Sequence, residues 1–254
     1  MTLPLLVAGF LVFARLAGLL MTLPGLNAAS VPAWSRLAAA LPLTVVLLPA
    51  AGEPEVPGAV GALIATVLTE AFIGVAMGLG VSMVYGALTM ASDLIGTKMG
   101  LNVGAMLDPL THSSQGPLAS LASWFGTAVF FATDIHLRCI RVLASSLQVL
   151  PPAAVLHPLR AGAVLTDAVA AVAIVSLQLA GPIVAFLFLV NLALMVLGRM
   201  APNLQLFFGI GVTLTVAAGL GLLSVSMPAM LAVYAHTLAS APVWMLRILE
   251  VAGG

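Results

Sequence analysis

His112-Ser113-Ser114, a histidine beside two hydroxyls, is the stretch of this sequence nearest to nucleophilic chemistry. A serine nucleophile needs a base within hydrogen-bond reach and a turn that exposes its oxygen, such as the strand-to-helix elbow of G-x-S-x-G. Neither that pattern nor H-E-x-x-H occurs here, and the two serines lie in a proline-bracketed loop. His112, His136, His157 and His236 are scattered without ligand spacing, and the single cysteine, Cys139, excludes a disulfide framework or a cysteine metal cluster. The 12 methionines read more simply as flexible packing than as a metal path. No catalytic constellation, metal site or cofactor is expected, and the chain does not read as an enzyme.

Three charged residues stand inside apolar runs: Arg15, Glu70 and Asp167. An unpaired charge at membrane depth costs at least ~2.5 kcal/mol even on lenient scales, so such residues must face protein or water and find partners. Glu70 could serve as a proton-relay acid, but one carboxylate without a string of partners makes an ion pair or interhelical hydrogen bond the stronger expectation.

Composition says what must hold these residues. Of 254 residues 62% are hydrophobic and 6% charged, 8 of each sign, against about 25% charged in soluble domains. So few charges cannot cover a water-soluble globule, and a net charge of zero without a basic tail gives nucleic acid nothing to bind. A multi-spanning membrane protein in contact with lipid is the remaining class. Met1 to Leu20 lacks a basic n-region and carries Arg15 in its apolar run, which fits a first membrane helix better than a cleaved signal peptide.

A bilayer core of ~30 Å takes ~20 apolar residues as helix. Leu3–Leu23, Leu37–Ala51, Pro57–Ala91, Leu118–Thr133, Ala168–Gly198 and the charge-free run between Arg199 and Arg247 make about six hydrophobic segments. The second, holding Pro42 and Pro49, is marginal or bent, and Gly181-Pro182 interrupts the fifth. The predicted fold is all-α and polytopic, with bent helical hairpins, since no segment shows the alternation of membrane barrels. Arg36, Lys98 and Arg199 on one side and Arg138, Arg141, Arg160 and Arg247 on the other give no positive-inside asymmetry. That balance is expected where some segments pack against protein rather than cross lipid.

Gly96, Gly100 and Gly104 recur every fourth residue, as do Gly74 and Gly78, and small residues at that spacing let helices approach closely. With 24 glycines, chance also produces such pairs. In "DIHLRCIRVLASSLQ", Asp134, Arg138, Arg141, Ser145 and Gln148 fall on one helical stripe, with Leu137, Ile140, Leu143, Leu147 and Leu150 elsewhere. Asp134 and Arg138 are placed to pair at i,i+4. The stripe suits a membrane surface or a polar lumen or partner equally. In "GLNVGAMLDPLTHSSQGPLAS", polar residues and prolines interrupt hydrophobic chain at mid-sequence. Asp108 starts a turn, Pro109 prevents helix continuation, and irregular polar backbone at membrane depth is tolerated only inside protein or beside water.

Four stretches together resemble the FliR/SctT family, export-gate subunits of flagellar and injectisome type III secretion. "FARLAGLLMTLPGLNAASVPAWSRLAAAL" supplies Arg15, Pro24, Pro32 and Arg36. "GLNVGAMLDPL" closes on Asp108-Pro109. "DIHLRCIRVLASSLQVLPP" supplies His136, Ser145 or Ser146, and Pro151. "LGRMAPNLQLFFGIGV" supplies Arg199, Pro202, Phe208 and Gly209. The order and spacing agree along nearly the whole chain, with Asn203 where the family has Gln and Ile135 where it has Gly.

The resemblance implies a subunit of a protein-export gate in the bacterial inner membrane. Its expected partners are FliP-like and FliQ-like sisters, an FlhB-like subunit and unfolded export substrates. It implies that residues 1–163 fold like the FliP-type sister and 164–254 like the FliQ-type hairpin. It also implies that residues 106–117, including Met106, Leu107, Asp108, Pro109, Leu110 and Pro117, plug the channel. Gly96, Gly100 and Gly104 are the expected packing residues, and Arg15 and Glu70 the buried charges. The residues do not separate flagellum from injectisome, with the flagellar basal body the preferred setting. A small-solute secondary transporter is the alternative, since transporters too have broken helices and buried charge, but no inverted repeat is visible.

Overall fold

The computed structural model describes residues 3–26, 31–52, 59–102, 115–153, 158–200 and 207–253. Among them the chain is helical and without strands: α1 (Leu3–Thr22), α2 (Ala33–Leu47) with a 3-10 turn at Leu48–Ala50, α3 (Val60–Met99), α4 (Pro117–Ala132), α5 (Ile135–Val149), α6 (Pro158–Met200), α7 (Phe207–Ala239) and α8 (Ala241–Gly253). Proline sets several boundaries. Pro117 and Pro158 occupy first helical positions, where no backbone N–H is needed. Pro151-Pro152 prevents α5 from continuing, and Leu150 before them has left the helical region, at φ −126 and ψ 86.

Five of these helices are long and apolar enough to cross a membrane, or six if α4 and α5, bent by 61° at Thr133–Asp134, count as one span. The chain is therefore an all-α, multi-pass membrane protein. Two of the helices are much longer than a single crossing needs. α3 runs 40 residues without a break, about 60 Å at 1.5 Å per residue, twice a bilayer core. α6 is one continuous helix of 43 residues that includes Gly181-Pro182. The sharp bend lies instead between α4 and α5, where Asp134 takes φ 56 without making a side-chain cap.

The helices belong to two compact units. The first combines residues 1–85, 130–171 and 238–254, and the second 86–129 and 172–237. Residue 163, the partition expected from the family resemblance, lies within α6 rather than at a connection.

In the first unit α1 and α2 form an antiparallel pair, with Gly9 facing Leu48 at one end and Arg36 donating to Met21 O at the other. α1 also crosses α3 in parallel at very close range. A Cβ on Gly74 would lie 1.9 Å from Arg15 O, and one on Gly18 would lie 2.4 Å from Ala71 O. Only glycine fits at either place, because backbone meets backbone. Ser82 Oγ donates to Thr22 O farther along the same crossing. α5 packs on α8, and Cys139, Leu143 and Leu147 are buried.

In the second unit α6 and α7 form an antiparallel hairpin, in which Leu194 faces Gly211 and Thr215 Oγ1 donates to Asn191 Oδ1 at 3.2 Å. Met99, at the end of α3, lies against Gly219, where a Cβ would be 2.4 Å from its Cε. The exterior is largely apolar, including Trp124, Leu189, Met195 and Val225. Apolar surface of this extent suits lipid or partner protein, not water.

Candidate functional site

The structure brings Arg15 and Glu70 together. α1 and α3 cross so closely at Gly18 and Gly74 that the two side chains meet within one turn of the crossing. Arg15 is 0% exposed and Glu70 1%. Arg15 Nε donates to Glu70 Oε2 at 2.6 Å. Its Nη1 donates to Ser146 O at 3.2 Å and to Ser146 Oγ at 3.1 Å, and Nη2 donates to Leu150 O at 3.1 Å. The Ala153 N–H donates to the other carboxylate oxygen of Glu70 at 3.1 Å. Ser146 Oγ passes its own hydrogen to Leu143 O at 2.6 Å.

This arrangement has a physical logic. The last carbonyls of a helix lack intrahelical partners and carry the negative end of its dipole. α5 is stopped by Pro151-Pro152, and the fork of Arg15 donates to Leu150 O, beyond its last turn, and to Ser146 O, which also accepts the Leu150 N–H. Glu70 neutralises the buried guanidinium and takes a hydrogen bond from the turn that follows α5. The cluster thus ties α1, α3 and the end of α5 at one point. Either charge alone would be stranded, because removing one member of a buried pair leaves an uncompensated ion. Between the serines left open by the sequence, Ser146 is the one turned inward, while Ser145 donates to Val142 O.

The polar stripe of α5 lies on its outer face: Asp134, Arg138, Arg141 and Gln148 are exposed. Asp134 and Arg138 form no ion pair, since the left-handed Asp134 stands at the bend rather than on the helix. Asp167 is likewise exposed, on α6. His136 sits against Phe130 and Phe131, with ring centroids 6.3 and 5.0 Å away. His236 is exposed, and His112 and His157 lie outside the described residues. Among the described residues no three His, Cys, Asp or Glu side chains gather to hold a metal.

The glycine triple is divided by the structure. α3 ends at Met99, and Gly100 takes φ 80 with none of its own chain within 4 Å of a Cβ there. Gly100 N–H donates to Thr97 O at 3.1 Å and Leu101 N–H to Gly96 O at 2.9 Å. That pair of bonds is the Schellman ending, in which glycine is favoured because the backbone is left-handed. Gly100 is thus a helix stop. Gly96 is buried beside Asn102 and Leu118. Gly104 lies outside the described residues, as do Met106, Leu107, Asp108, Pro109 and Leu110 of the expected plug. Pro117 begins α4.

Beyond the helix stop, Asn102 turns back over the end of α3. Its Nδ2 donates to Asp93 Oδ1 at 2.9 Å and to Thr97 Oγ1 at 2.8 Å. Its Oδ1 lies against two glycines: a Cβ on Gly96 would be 3.1 Å away, and one on Gly116 only 1.9 Å. The two ends of the polar mid-chain stretch therefore meet at one side chain. Nearby, a cleft of about 430 Å3 opens between Lys98 and Gly100 of the α3 end and Asn191, Met195, Gly211 and Thr215 of the hairpin.

Fold and site together define a multi-pass helical membrane protein whose buried polar groups fasten helices to one another. Residues 6–241 match the family described as bacterial export proteins, family 1, and the chain belongs to that family. It is similar to the flagellar biosynthetic protein FliR of Caulobacter vibrioides, 30% identical over 219 residues, which are 85% of this chain and 87% of that protein. It is also similar to the protein of that name from Escherichia coli strain K12, 30% identical over 84% of this chain and 82% of the relative. The FliR of Pectobacterium carotovorum is 29% identical over 85% and 82%.

Proposed function

We propose that this chain is a subunit of the flagellar protein-export gate in the bacterial inner membrane. In this reading it assembles with FliP-like, FliQ-like and FlhB-like subunits around a channel for unfolded export substrates. The observation that carries the proposal is the likeness to flagellar relatives over more than four fifths of the chain. In this reading residues 106–117 form the barrier of that gate. Residues 1–163 take the part of the FliP-type subunit, and the α6–α7 hairpin within 164–254 that of the FliQ-type subunit.

The apolar exterior supports assembly. Trp34, Leu41, Val45 and Val46 stand exposed along α2, and Val60, Ile64 and Leu68 along the start of α3. A surface of that kind is stable only when lipid or sister helices cover it. Copurification tests the reading. Extracted in mild detergent from cells that express the neighbouring export genes, the chain should bring FliP-like and FliQ-like subunits with it. Recovery as a lone chain, or as a homo-oligomer that moves a small solute, would overturn it.

A further inference from the structure

We propose that the cleft between the end of α3 and the α6–α7 hairpin holds an anionic phospholipid, its phosphate against Lys98 and one acyl chain along the apolar wall. The site goes beyond the gate reading and does not depend on it.

The lining is amphiphilic. Met99, Leu194, Met195 and Val212 give the cleft apolar sides, while Lys98, Asn191 and Thr215 bring polar atoms to it. The Thr215 hydroxyl occupies the Asn191 oxygen, which leaves the amide hydrogens of Asn191 for an oxygen entering the cleft. Glycine keeps the space open, since nothing lies within 4 Å of a Cβ on Gly100 or Gly198. A soluble anion gains nothing from the apolar sides, and a purely apolar ligand would leave the ammonium without a partner. Charge points the same way. Lys98 is exposed, and among the described residues it makes neither an ion pair nor a hydrogen bond. Asp93, the acid nearest in sequence, stands about 140° around the helix and is bonded to Asn102. Arg199, also exposed, directly follows Gly198 of the lining, which adds a second cation to this end of the hairpin. Basic pockets between membrane helices are where anionic lipid headgroups bind.

Size and setting separate a lipid from a neighbouring helix. The cleft of about 430 Å3 falls within the range of pockets for one small ligand. Two turns of helix, ~11 Å long and about 10–12 Å across, would need on the order of 1,000 Å3. A helix can therefore cover the cleft but not fill it. Leu192, Val196, Leu197 and Leu214 stand exposed on the same hairpin, so an acyl chain reaches the cleft along apolar surface. The lysine, on its flexible stem, then meets the headgroup at the polar end of the cleft.

Lipid titration tests this on the full chain, extracted in mild detergent with whatever subunits accompany it. Phosphatidylglycerol and phosphatidylcholine with the same acyl chains are added, and bound lipid is counted by native mass spectrometry. The parent should bind phosphatidylglycerol about fivefold more tightly than phosphatidylcholine. Lys98→Gln should abolish that preference. Gly198→Leu, which fills the cleft without touching the charge, should weaken both lipids. Arg138→Gln, an exposed arginine of the other unit, should behave as the parent does. Equal affinity for the two lipids in the parent, or a preference that survives Lys98→Gln, would overturn the proposal. So would a preference lost equally in Arg138→Gln, which would mean general surface charge. Binding to the separated chain that vanishes on assembly would give the cleft to a protein partner and overturn the lipid assignment.

Discussion

Two polar clusters are built on α3, one around Glu70 and one around Asn102, and they differ in kind. The first is a full ion pair sealed from solvent, with the Arg15 donors spread over Glu70, Ser146 and Leu150. The second has a single charge, on an exposed Asp93, and holds a helix end through one amide. Energetics follows the chemistry. Breaking a buried ion pair costs several kcal/mol, whereas a hydrogen bond at a partly exposed site is worth about 1 kcal/mol. The Arg15 cluster is therefore the stronger fastening and the Asn102 cluster the weaker one.

That contrast is broken most severely at Arg15. Arg15→Ala leaves the buried Glu70 without its counter-ion and Leu150 O without its guanidinium donor, and should cost about 3–5 kcal/mol. The measurement is thermal unfolding in detergent together with the yield of folded chain. Replacing Arg15 and Glu70 together by leucine should recover much of that loss, because no ion is left stranded. A double variant as unstable as the single one would mean that the cluster is more than a fastening.

Gly74→Ala comes next. Its Cβ would fall 1.9 Å from Arg15 O, so α1 and α3 must move apart, at a cost of about 1–3 kcal/mol. The same substitution at Gly86, where nothing lies within 4 Å, is the control and should be neutral or slightly stabilising. Equal effects at the two positions would remove the close crossing from the account.

Gly100 sharpens the comparison at the other cluster. Its left-handed backbone makes any side chain strained, by about 1–2 kcal/mol. Gly100→Ala and Gly100→Leu should then destabilise alike, since no atom of the chain stands near a Cβ there. If leucine alone prevents recovery of the assembled complex, Gly100 also faces a neighbouring subunit.

The smallest effect separates adjacent serines. Ser146→Ala removes one bond to Arg15 and should cost about 1 kcal/mol. Ser145→Ala, on the outer side of α5, should change unfolding by less than about 0.5 kcal/mol.

Much of the first cluster could be read in the sequence, and little of the second. A charge in an apolar run must find a partner, so Arg15 and Glu70 were identifiable from their surroundings alone. Their mutual contact was not, because 55 residues separate them and no helical spacing links them. The choice between Ser145 and Ser146 turned on helix rotation, which the sequence left open. The role of Gly100 as a helix stop was hidden for a related reason. Four-residue spacing implies a stripe only while the helix lasts, and α3 stops at Met99. Gly18, the partner of Gly74 in the tightest crossing, stands nine residues from Gly9, the other glycine of α1, and no four-residue glycine spacing singles it out. Asn102 acts through Gly116 across a connection, and such contacts leave no periodic trace.

The account's central claim, that the polar mid-chain stretch is the barrier of an export channel, is tested most directly by deleting Leu110 to Gln115. Ion conductance and recovery of the complex with its sister subunits are measured in the same membranes. The account expects conductance to rise while recovery holds, because the Arg15 cluster and the helix crossings lie outside the deletion. An intact complex that conducts no more than the parent would contradict it.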